Sequence, residues 1–417
     1  MQDRRTKGLR IYTSIFIIYL LIAYIPLDGG VGFGIPKIIL SATAIPVLFL
    51  YTFKMSKAMI IGIIYILYQY LSASFHPESL RWSTLFFSAS FVISYICIYN
   101  LITVEKVFSI EYFIKLCKWT IMLFFVVCIL QQFAIIVGIR SLPIINFMAF
   151  LDRGIGCNSL ALEPSHFARY MLIIYYAYVK CSEYKRGEGA FTLKELFSGE
   201  HKWVTIRFLW MMLTMGSGTA FLCLILFSGY FVRKHNWYYV IPIMVIGYSL
   251  IQASGIEALD RATSTIEATS TLDIANVRAA DGSASVRIVP VLNSLNADFT
   301  KFETWFGYGI DAGRTFGSKS TIFDDYGFIL YLISLLFNFT CGYNFWSLAT
   351  IFMFAGVSGG SGGNFFTAWA TFMIITCVKY FYENKNNPEI YEEEDNDTDT
   401  NIIIEEGLLI NEQKTDA

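Results

Sequence analysis

Charged side chains are scarce in this chain of 417 residues. Asp, Glu, Lys and Arg make up 15% of it, whereas soluble proteins carry about 25%. So few charges cannot cover the surface of a globule of this size, which excludes an ordinary cytosolic enzyme and a disordered protein. The chain is instead 55% hydrophobic and 17% aromatic. This balance predicts an all-α polytopic membrane protein.

Sequence patterns that indicate nucleic-acid binding, metal binding or a disulfide framework are also missing. A formal net charge of −2 offers no basic excess for a phosphate backbone. The four histidines are scattered without zinc-site spacing, so we predict no metal and no cofactor. Of the eight cysteines, only Cys157 is expected on the outer side, apart from the other thiols. No disulfide framework is therefore expected.

Apolar runs recur along the chain, and a membrane-spanning helix needs roughly 20 apolar residues. The runs lie near 10–27, 36–53, 58–75, 83–103, 119–138, 162–180, 204–216, 219–232, 236–252, 322–340, 342–357 and 363–382. The stretch 204–232 is ambiguous, because Gly216-Ser217-Gly218 can break it into two short helices. The broken form gives about 12 transmembrane helices, and one long helix gives eleven.

Lysines and arginines in short loops predict the orientation. The N-terminus carries Arg4, Arg5 and Lys7, and further basic turns follow at Lys54 and in the loop 181–203. These segments are expected in the cytoplasm. With 12 helices, the N- and C-termini are both cytoplasmic, and residues 253–321 form one large outer, periplasmic loop. With eleven, that loop lies inside.

The acids are concentrated at the end of the chain. From Glu383 onward there are twelve acids and two lysines, a net charge of −10, which leaves +8 on the rest. We therefore divide the chain into a transmembrane domain, 1–382, and an acidic cytoplasmic tail, 383–417, that is expected to be disordered. The apolar patch 402–410 either docks on a partner or has no role.

The segment after the fifth run carries candidate functional groups. Pro164 fits the first turn of a helix, which puts Glu163 at the helix mouth on the outer membrane surface. Glu163, His166, Arg169 and Tyr170 then share one face at spacings of three and four. Ionisable groups at such a depth are functional candidates. Alternatively, Arg169 pairs with Glu163 as a structural ion pair.

The large outer loop adds further candidates. Arg287 begins a predicted amphipathic helix that includes Phe299 and Phe302. Gly307 and Gly309 allow tight turns and close approach of the backbone to a ligand. The remaining candidates are Arg153 before the loop and Arg314 and Asp311 within it. The alternative for the three arginines is that they are ordinary solvated loop charges: Arg153, Arg287 and Arg314.

Four motifs together resemble the Wzy-type O-antigen polymerases of the O-antigen ligase and polymerase superfamily. They are Arg153-Gly154 followed by Glu163-Pro164-Ser165, the break 214–219, Ser285-Val286-Arg287, and Phe306-Gly307-Tyr308-Gly309 followed by Tyr326-Gly327-Phe328. The resemblance covers roughly 150–340. The family often has an arginine where this chain has Gly218. The ligases usually carry a histidine in the segment after the large loop, and residues 321–325 have none, which favours a polymerase.

The resemblance implies a metal-independent membrane glycosyltransferase at the periplasmic face of the bacterial inner membrane. It would polymerise oligosaccharide repeat units linked to undecaprenyl pyrophosphate into O-antigen, capsule or exopolysaccharide chains. The residues implied as catalytic are Glu163, Arg287 and Asp311. Those implied to bind pyrophosphate or glycan are Arg153, His166, Arg169, Tyr170, Arg314, Gly307 and Gly309.

The partners implied are a lipid-linked oligosaccharide, membrane lipid, a chain-length regulator and a flippase, with no nucleic acid. Three other functions stay open on the sequence alone. An O-antigen ligase would transfer the glycan to a lipid A core. A lipid-linked oligosaccharide flippase would be a transporter, although its outer loops are usually short. A non-catalytic scaffold would act through the acidic tail.

Overall fold

The structure is a computed structural model, and every regular element in the residues it describes is a helix. Four of these helices are long and apolar enough to cross a membrane, which gives the chain membrane-helix character. The described residues are 2–22, 35–139, 157–161, 163–187, 189–231, 297–311, 322–343 and 366–391, with five isolated positions between 238 and 276.

The first six helices follow the first six apolar runs. They are α1 Gln2–Leu21, α2 Ile35–Tyr51, α3 Lys57–Ser74, α4 Trp82–Thr103, α5 Ile110–Ile136 and α6 Pro164–Arg186. Serine hydroxyls begin two of them. Ser56 accepts the N–H of Met59 and Ser109 accepts that of Tyr112, each at 3.2 Å, so each cap satisfies a backbone donor that the first helical turn leaves unbonded.

The later helices are shorter or interrupted. They are α7 Leu193–Leu196, α8 Lys202–Thr214, α9 Gly218–Ser228, α10 Phe302–Phe306, α11 Ile322–Cys341 and α12 Phe366–Glu383, with 3₁₀ turns at Gly199–His201, Gly229–Phe231 and Pro388–Ile390. Apart from Tyr238, Pro242, Gly342 and Tyr343, the predicted runs 236–252 and 342–357 lie outside the described residues, as does the acidic stretch from 392 onward.

One end of the bundle carries lysine–glutamate pairs, and we call it the basic face. Lys54 pairs with Glu105 at 3.9 Å, Lys118 with Glu200 at 2.7 Å, and Lys185 with Glu111 at 3.4 Å. Helices α1, α3 and α5 begin there, and α2, α4 and α6 end there. The opposite face carries the turn 75–81 and the segment 297–311.

Both described ends of the chain lie at the basic face. Near the N-terminus, the guanidinium of Arg5 donates to the carbonyl of Tyr51 at 3.2 Å. Near the C-terminal end, Ile390 is buried and the hydroxyl of Tyr391 donates to the carbonyl of Tyr184 at 3.2 Å. The chain therefore stays packed on the helical body beyond Glu383, where the sequence predicted the tail to begin.

An aromatic cluster joins α4, α11 and α12 at the centre of the bundle. The ring of Tyr95 stacks on Phe372 at 4.7 Å and meets Phe337 edge-on at 5.2 Å. The Tyr95 hydroxyl is 2.7 Å from that of Thr376, so its polar end is satisfied inside the core. Large apolar side chains such as Leu50 and Leu67 stay exposed on the outside of the bundle, as expected of helices that face lipid.

Candidate functional site

The start of α6 holds the carboxylate that the sequence singles out. Glu163 is the residue before the helix and Pro164 lies in its first turn, as predicted. The Glu163 carbonyl accepts the N–H groups of His166 and Phe167 at 3.1 and 3.0 Å. The Ser165 hydroxyl donates to Glu163 Oε1 at 2.5 Å. The carboxylate is thus fixed at a helix N-terminus, where the helix dipole favours negative charge.

A row of three polar side chains runs from this carboxylate along α6. Glu163 Oε1 is 3.3 Å from His166 Nε2, and His166 Nδ1 is 3.3 Å from the hydroxyl of Tyr170. The Glu163 side chain is 43% exposed and that of His166 is 19% exposed, while Tyr170 is buried. The row therefore leads from an accessible carboxylate into the protein, with the spacings of three and four that the sequence predicted.

The row lies deeper than the sequence suggested. Ser159 Oγ donates to the Phe124 carbonyl at 2.7 Å, and the rings of Phe167 and Phe124 stack at 5.8 Å. Phe124 lies near the middle of α5, which continues to Ile136. Phe124 lies twelve residues before the end of α5, and Glu163 lies four residues nearer that end than Phe167. The remaining eight residues, at 1.5 Å each, place Glu163 ~12 Å short of the end of α5. Its predicted position at the helix mouth is confirmed, but the helix begins inside the bundle instead of at the outer end.

The segment 157–161, just before α6, is non-helical and mostly buried, and Gln131 of α5 makes several of the hydrogen bonds that hold it. Gln131 Nε2 donates to Asn158 Oδ1 at 3.1 Å and to the Ser159 carbonyl at 3.0 Å, while Gln131 Oε1 accepts the Ser159 N–H at 2.7 Å. Irregular backbone at this depth needs internal hydrogen bonds because lipid supplies none. Gln131 supplies three of them and so fixes the approach to Glu163.

Helices α8 and α9 form a hairpin that enters from the basic face and turns back inside the bundle. Gly216 makes the turn in the left-handed region, with φ of 65°. At the far end, the Tyr230 hydroxyl donates to Glu183 and accepts the Phe191 N–H at 2.8 Å. The predicted break is confirmed. With 13 and 11 residues, the helices are ~20 and ~16 Å long, too short to be the two full spans that we predicted.

The tip of this hairpin is held by the next glutamine of α5. Gln132 Nε2 donates to the Thr214 hydroxyl at 2.7 Å, and Gln132 Oε1 accepts the indole N–H of Trp210 at 3.1 Å. Adjacent glutamines thus hold two non-spanning segments, one approaching from each face. Sequence reasoning missed both residues. The signal was available: two neighbouring amides inside an apolar run mark a buried polar site.

Arg169 lies between the row on α6 and the hairpin. It is partly buried and close to Cys223 of α9, a helix that packs on α6. A guanidinium in this position can meet an anion bound near the start of α6. The structure therefore joins Glu163, His166 and Tyr170 in one row and places Arg169, the fourth predicted residue of this group, on the same helix.

A second group lies at the opposite face, where residues 305–309 pair with a break in α11. The Tyr308 and Gly309 N–H groups donate to the carbonyls of Asp324 and Asp325 at 2.8 and 3.3 Å. Gly307 and Gly327 have φ of 81° and 83°. A Cβ on either would overlap the backbone of the other segment. The predicted role of Gly307, close backbone approach, is thus met by this chain's own backbone.

The carboxylate of Asp311 forms an ion pair with Arg81, the residue that precedes α4. Arg81 was not among the predicted site residues, because it lies 230 residues before its partner and in no motif. The pair joins the end of the loop segment to the turn between α3 and α4. Since its oxygen is engaged by a guanidinium, Asp311 is a poorer candidate base than Glu163.

The approach to α10 is a turn and not the predicted amphipathic helix. Asp298 Oδ1 accepts from the Thr300 N–H at 3.0 Å and from its hydroxyl at 2.7 Å. These bonds hold the pKa of Asp298 below its ordinary value. Phe299 lies in this turn, and only Phe302 begins a helix. The predicted start of the helix at Arg287 lies outside the described residues.

Three candidate arginines, Arg153, Arg287 and Arg314, lie outside the described residues. Of the ten predicted site residues, the structure thus describes seven, in two groups: four at α6 and three at the opposite face. In the described ranges, no cluster of three or more His, Cys, Asp or Glu side chains could hold a metal ion.

Comparison with known proteins identifies no relative. No family model, no curated protein and no solved structure matches the chain.

Proposed function

We propose that the protein is a membrane glycosyltransferase that polymerises lipid-linked oligosaccharide repeat units at the periplasmic face of the bacterial inner membrane. The observation that supports this most is the row Glu163–His166–Tyr170, recessed within an apolar helical bundle. An ionisable side chain inside a membrane bundle that stays accessible is a functional candidate. Glycosyl transfer to a sugar hydroxyl needs a base of this kind.

The proposed reaction has a simple proton and charge balance. The acceptor hydroxyl attacks the anomeric carbon of the donor glycan while the bond to the undecaprenyl pyrophosphate breaks. Glu163 takes the hydroxyl proton. The His166 imidazole orients the Glu163 carboxylate, with Nε2–H donating to the carboxylate and Nδ1 facing the Tyr170 hydroxyl. Arginines meet the charge that develops on the leaving pyrophosphate. Arg287 and Arg153 are the first candidates, followed by Arg314 and Arg169.

The proposed topology has both termini in the cytoplasm and the loop 253–321 in the periplasm. Two observations support it. Arg5 and Tyr391 lie on the same basic face, and residues 297–311 lie on the opposite face with Arg81. Short basic loops favour the cytoplasm. We propose that the protein contacts membrane lipid and works with a chain-length regulator and a flippase in glycan export.

A lipid-linked oligosaccharide flippase is the second candidate, and one observation favours it. The α8–α9 hairpin and the segment 157–161 both stop inside the bundle and are held there by Gln132 and Gln131. Interrupted helices that meet inside a membrane bundle are typical of transporter binding sites. A substrate path through this point would use the same polar groups for passage and not for catalysis.

The two candidates differ in the phenotype of a deletion strain. Without a polymerase, single repeat units still reach the cell surface, whereas without a flippase none do. The test is surface glycan analysis of the deletion strain, complemented with wild-type protein or with Glu163→Ala. Surface single units and a missing long ladder in the deletion and in Glu163→Ala would support polymerisation. An empty surface in the deletion would contradict polymerisation, and a full ladder from Glu163→Ala would contradict the assignment of Glu163 as the base.

A further inference from the structure

Two cysteines meet beside the segment that leads to Glu163. Cys128 lies in α5 and Cys157 begins the segment 157–161, and their sulfurs are 3.0 Å apart. Both side chains are buried. The sequence expectation that Cys157 stands apart from the other thiols is therefore wrong. Two unbonded sulfurs rarely come this close, and the approach needs only a small further shift to reach the ~2.05 Å of a disulfide.

The surroundings of this thiol pair are built by the same polar groups that hold the segment. Gln132 Nε2 is 3.8 Å from Cys157 Sγ, and Gln131 binds Asn158 and Ser159, the two residues that follow Cys157. A covalent bond here would tie the segment to the middle of α5. It would act on the five residues between Cys157 and Glu163, and so on the position of the carboxylate.

We propose that Cys128 and Cys157 form a redox modification site, which a two-electron thiol oxidant converts to a disulfide that fixes the segment before Glu163. The inference concerns the thiols alone and does not rest on the proposed function. An oxidising compartment on the outer side of the membrane would favour the bonded form.

The chemistry balances with an external disulfide as oxidant. The Cys157 thiolate attacks that disulfide, forming a mixed disulfide and releasing one external thiol. The Cys128 thiolate then attacks Cys157 Sγ and releases the second. Two S–H bonds are lost, one S–S bond forms, and the two electrons reduce the external disulfide to two thiols. Cys157 is the entry point because it lies in a non-helical segment, which opens locally more readily than the middle of α5.

The first test is thiol counting on the full-length protein purified in detergent. The protein is treated with diamide, a small azo oxidant that takes up the two electrons and two protons as its hydrazine, then denatured and alkylated. We expect two of the eight cysteines to escape alkylation, and peptide mapping to find Cys128 linked to Cys157. Full alkylation of all eight, or a link between other cysteines, would overturn the proposal.

Serine variants provide the controls. Cys128→Ser and Cys157→Ser should each lose the diamide effect, whereas Cys97→Ser, in α4, should keep it. The peptide map of the wild-type protein decides the question on its own if a variant fails to fold. Loss of the effect in Cys97→Ser would overturn the assignment to this pair.

The second test measures whether the disulfide restrains the backbone of the segment before Glu163. Hydrogen exchange of the backbone amides in 157–163 should slow about tenfold after oxidation, because the bond suppresses local opening, and dithiothreitol should reverse the change. Exchange in α3 serves as the internal reference. Equal exchange of the oxidised and reduced protein in 157–163 would show that the bond does not fix the segment.

Discussion

At the scale of the residue, Glu163 is the position where a change of a few atoms has the clearest expected effect. Glu163→Gln keeps the size of the side chain but removes its ability to accept a proton. We expect long glycan chains to fall about 100-fold or more, since general bases contribute 10²–10⁴-fold. The measurement is the glycan ladder of a complemented deletion strain, at matched protein level in the membrane.

The control for this variant is Glu78→Gln. Glu78 is a highly exposed carboxylate at the opposite face, near His76, and its substitution should leave the ladder unchanged. If Glu163→Gln and Glu78→Gln gave the same full ladder, Glu163 would not be the base.

Gln131 gives a second prediction at this scale. Its expected role is to position the segment before Glu163, and it takes no part in the reaction. Gln131→Met keeps the side-chain volume but removes all three bonds to Asn158 and Ser159. Leaving the Ser159 N–H without its acceptor costs about 1–3 kcal/mol. We expect a lower thermal stability in detergent and a shorter glycan ladder. Leu130→Met, at an exposed neighbouring position, should change neither, and equal behaviour of the two variants would count against the positioning role.

At the scale of the element, the contact between residues 305–309 and the broken helix α11 depends on two glycines. Gly327→Ala puts a Cβ into the backbone of Trp305 and Gly307, and the φ of 83° is itself unfavourable for alanine. We expect the segment 305–309 to detach, which limited proteolysis of the intact protein would detect as faster cleavage near Tyr308. Gly229→Ala, with open space around it, should be cleaved like the wild type.

The hairpin of α8 and α9 predicts where its flanking segments lie. Because both helices meet the basic face, reporter fusions placed after Ser198 and after residue 234 should report the same side of the membrane. The proposed orientation makes that side the cytoplasm. Opposite sides would mean that the chain crosses the membrane between them and would remove the basis for placing the loop 253–321 outside.

The helices were largely predictable from the sequence, and the depth of the site was not. The apolar runs locate α2, α3, α4 and α11 within two residues at each end, because burial in lipid or core requires apolar residues. Helices α1 and α5 begin eight and nine residues before their runs, and α6 ends six residues after its run. Hydropathy does not reveal that α6 starts ~12 Å short of the end of α5, because this depends on the distant contacts of Phe124 with Ser159 and Phe167. The pairing of Arg81 with Asp311 is likewise tertiary. Spacing along α6 did predict the row Glu163–His166–Tyr170, because helix geometry alone fixes it.

At the scale of the whole molecule, the C-terminal end separates into a packed part and an acidic part. Truncation after Tyr391 removes only the stretch rich in acids, so we expect the glycan ladder to survive. Truncation after Glu383 also removes buried Ile390 and the bond from Tyr391 to Tyr184, so we expect less protein in the membrane. The measurements are membrane abundance and the ladder.

The outcomes of these truncations also address the scaffold alternative. If activity were lost on removing 392–417 while the protein stayed in the membrane at normal abundance, the acidic stretch would have to act through a partner. An unchanged ladder would show that the helical body is sufficient for activity without the acidic stretch.

The neighbouring glutamines of α5 have a mechanical consequence. Adjacent residues of one helix cannot shift independently, so any rotation or slide of α5 displaces the α8–α9 tip and the segment before Glu163 in concert. We therefore expect a displacement of the hairpin tip to act on the segment before Glu163 through Gln132 and Gln131. Helix α5 would thus act as a common lever between the two sides of the membrane.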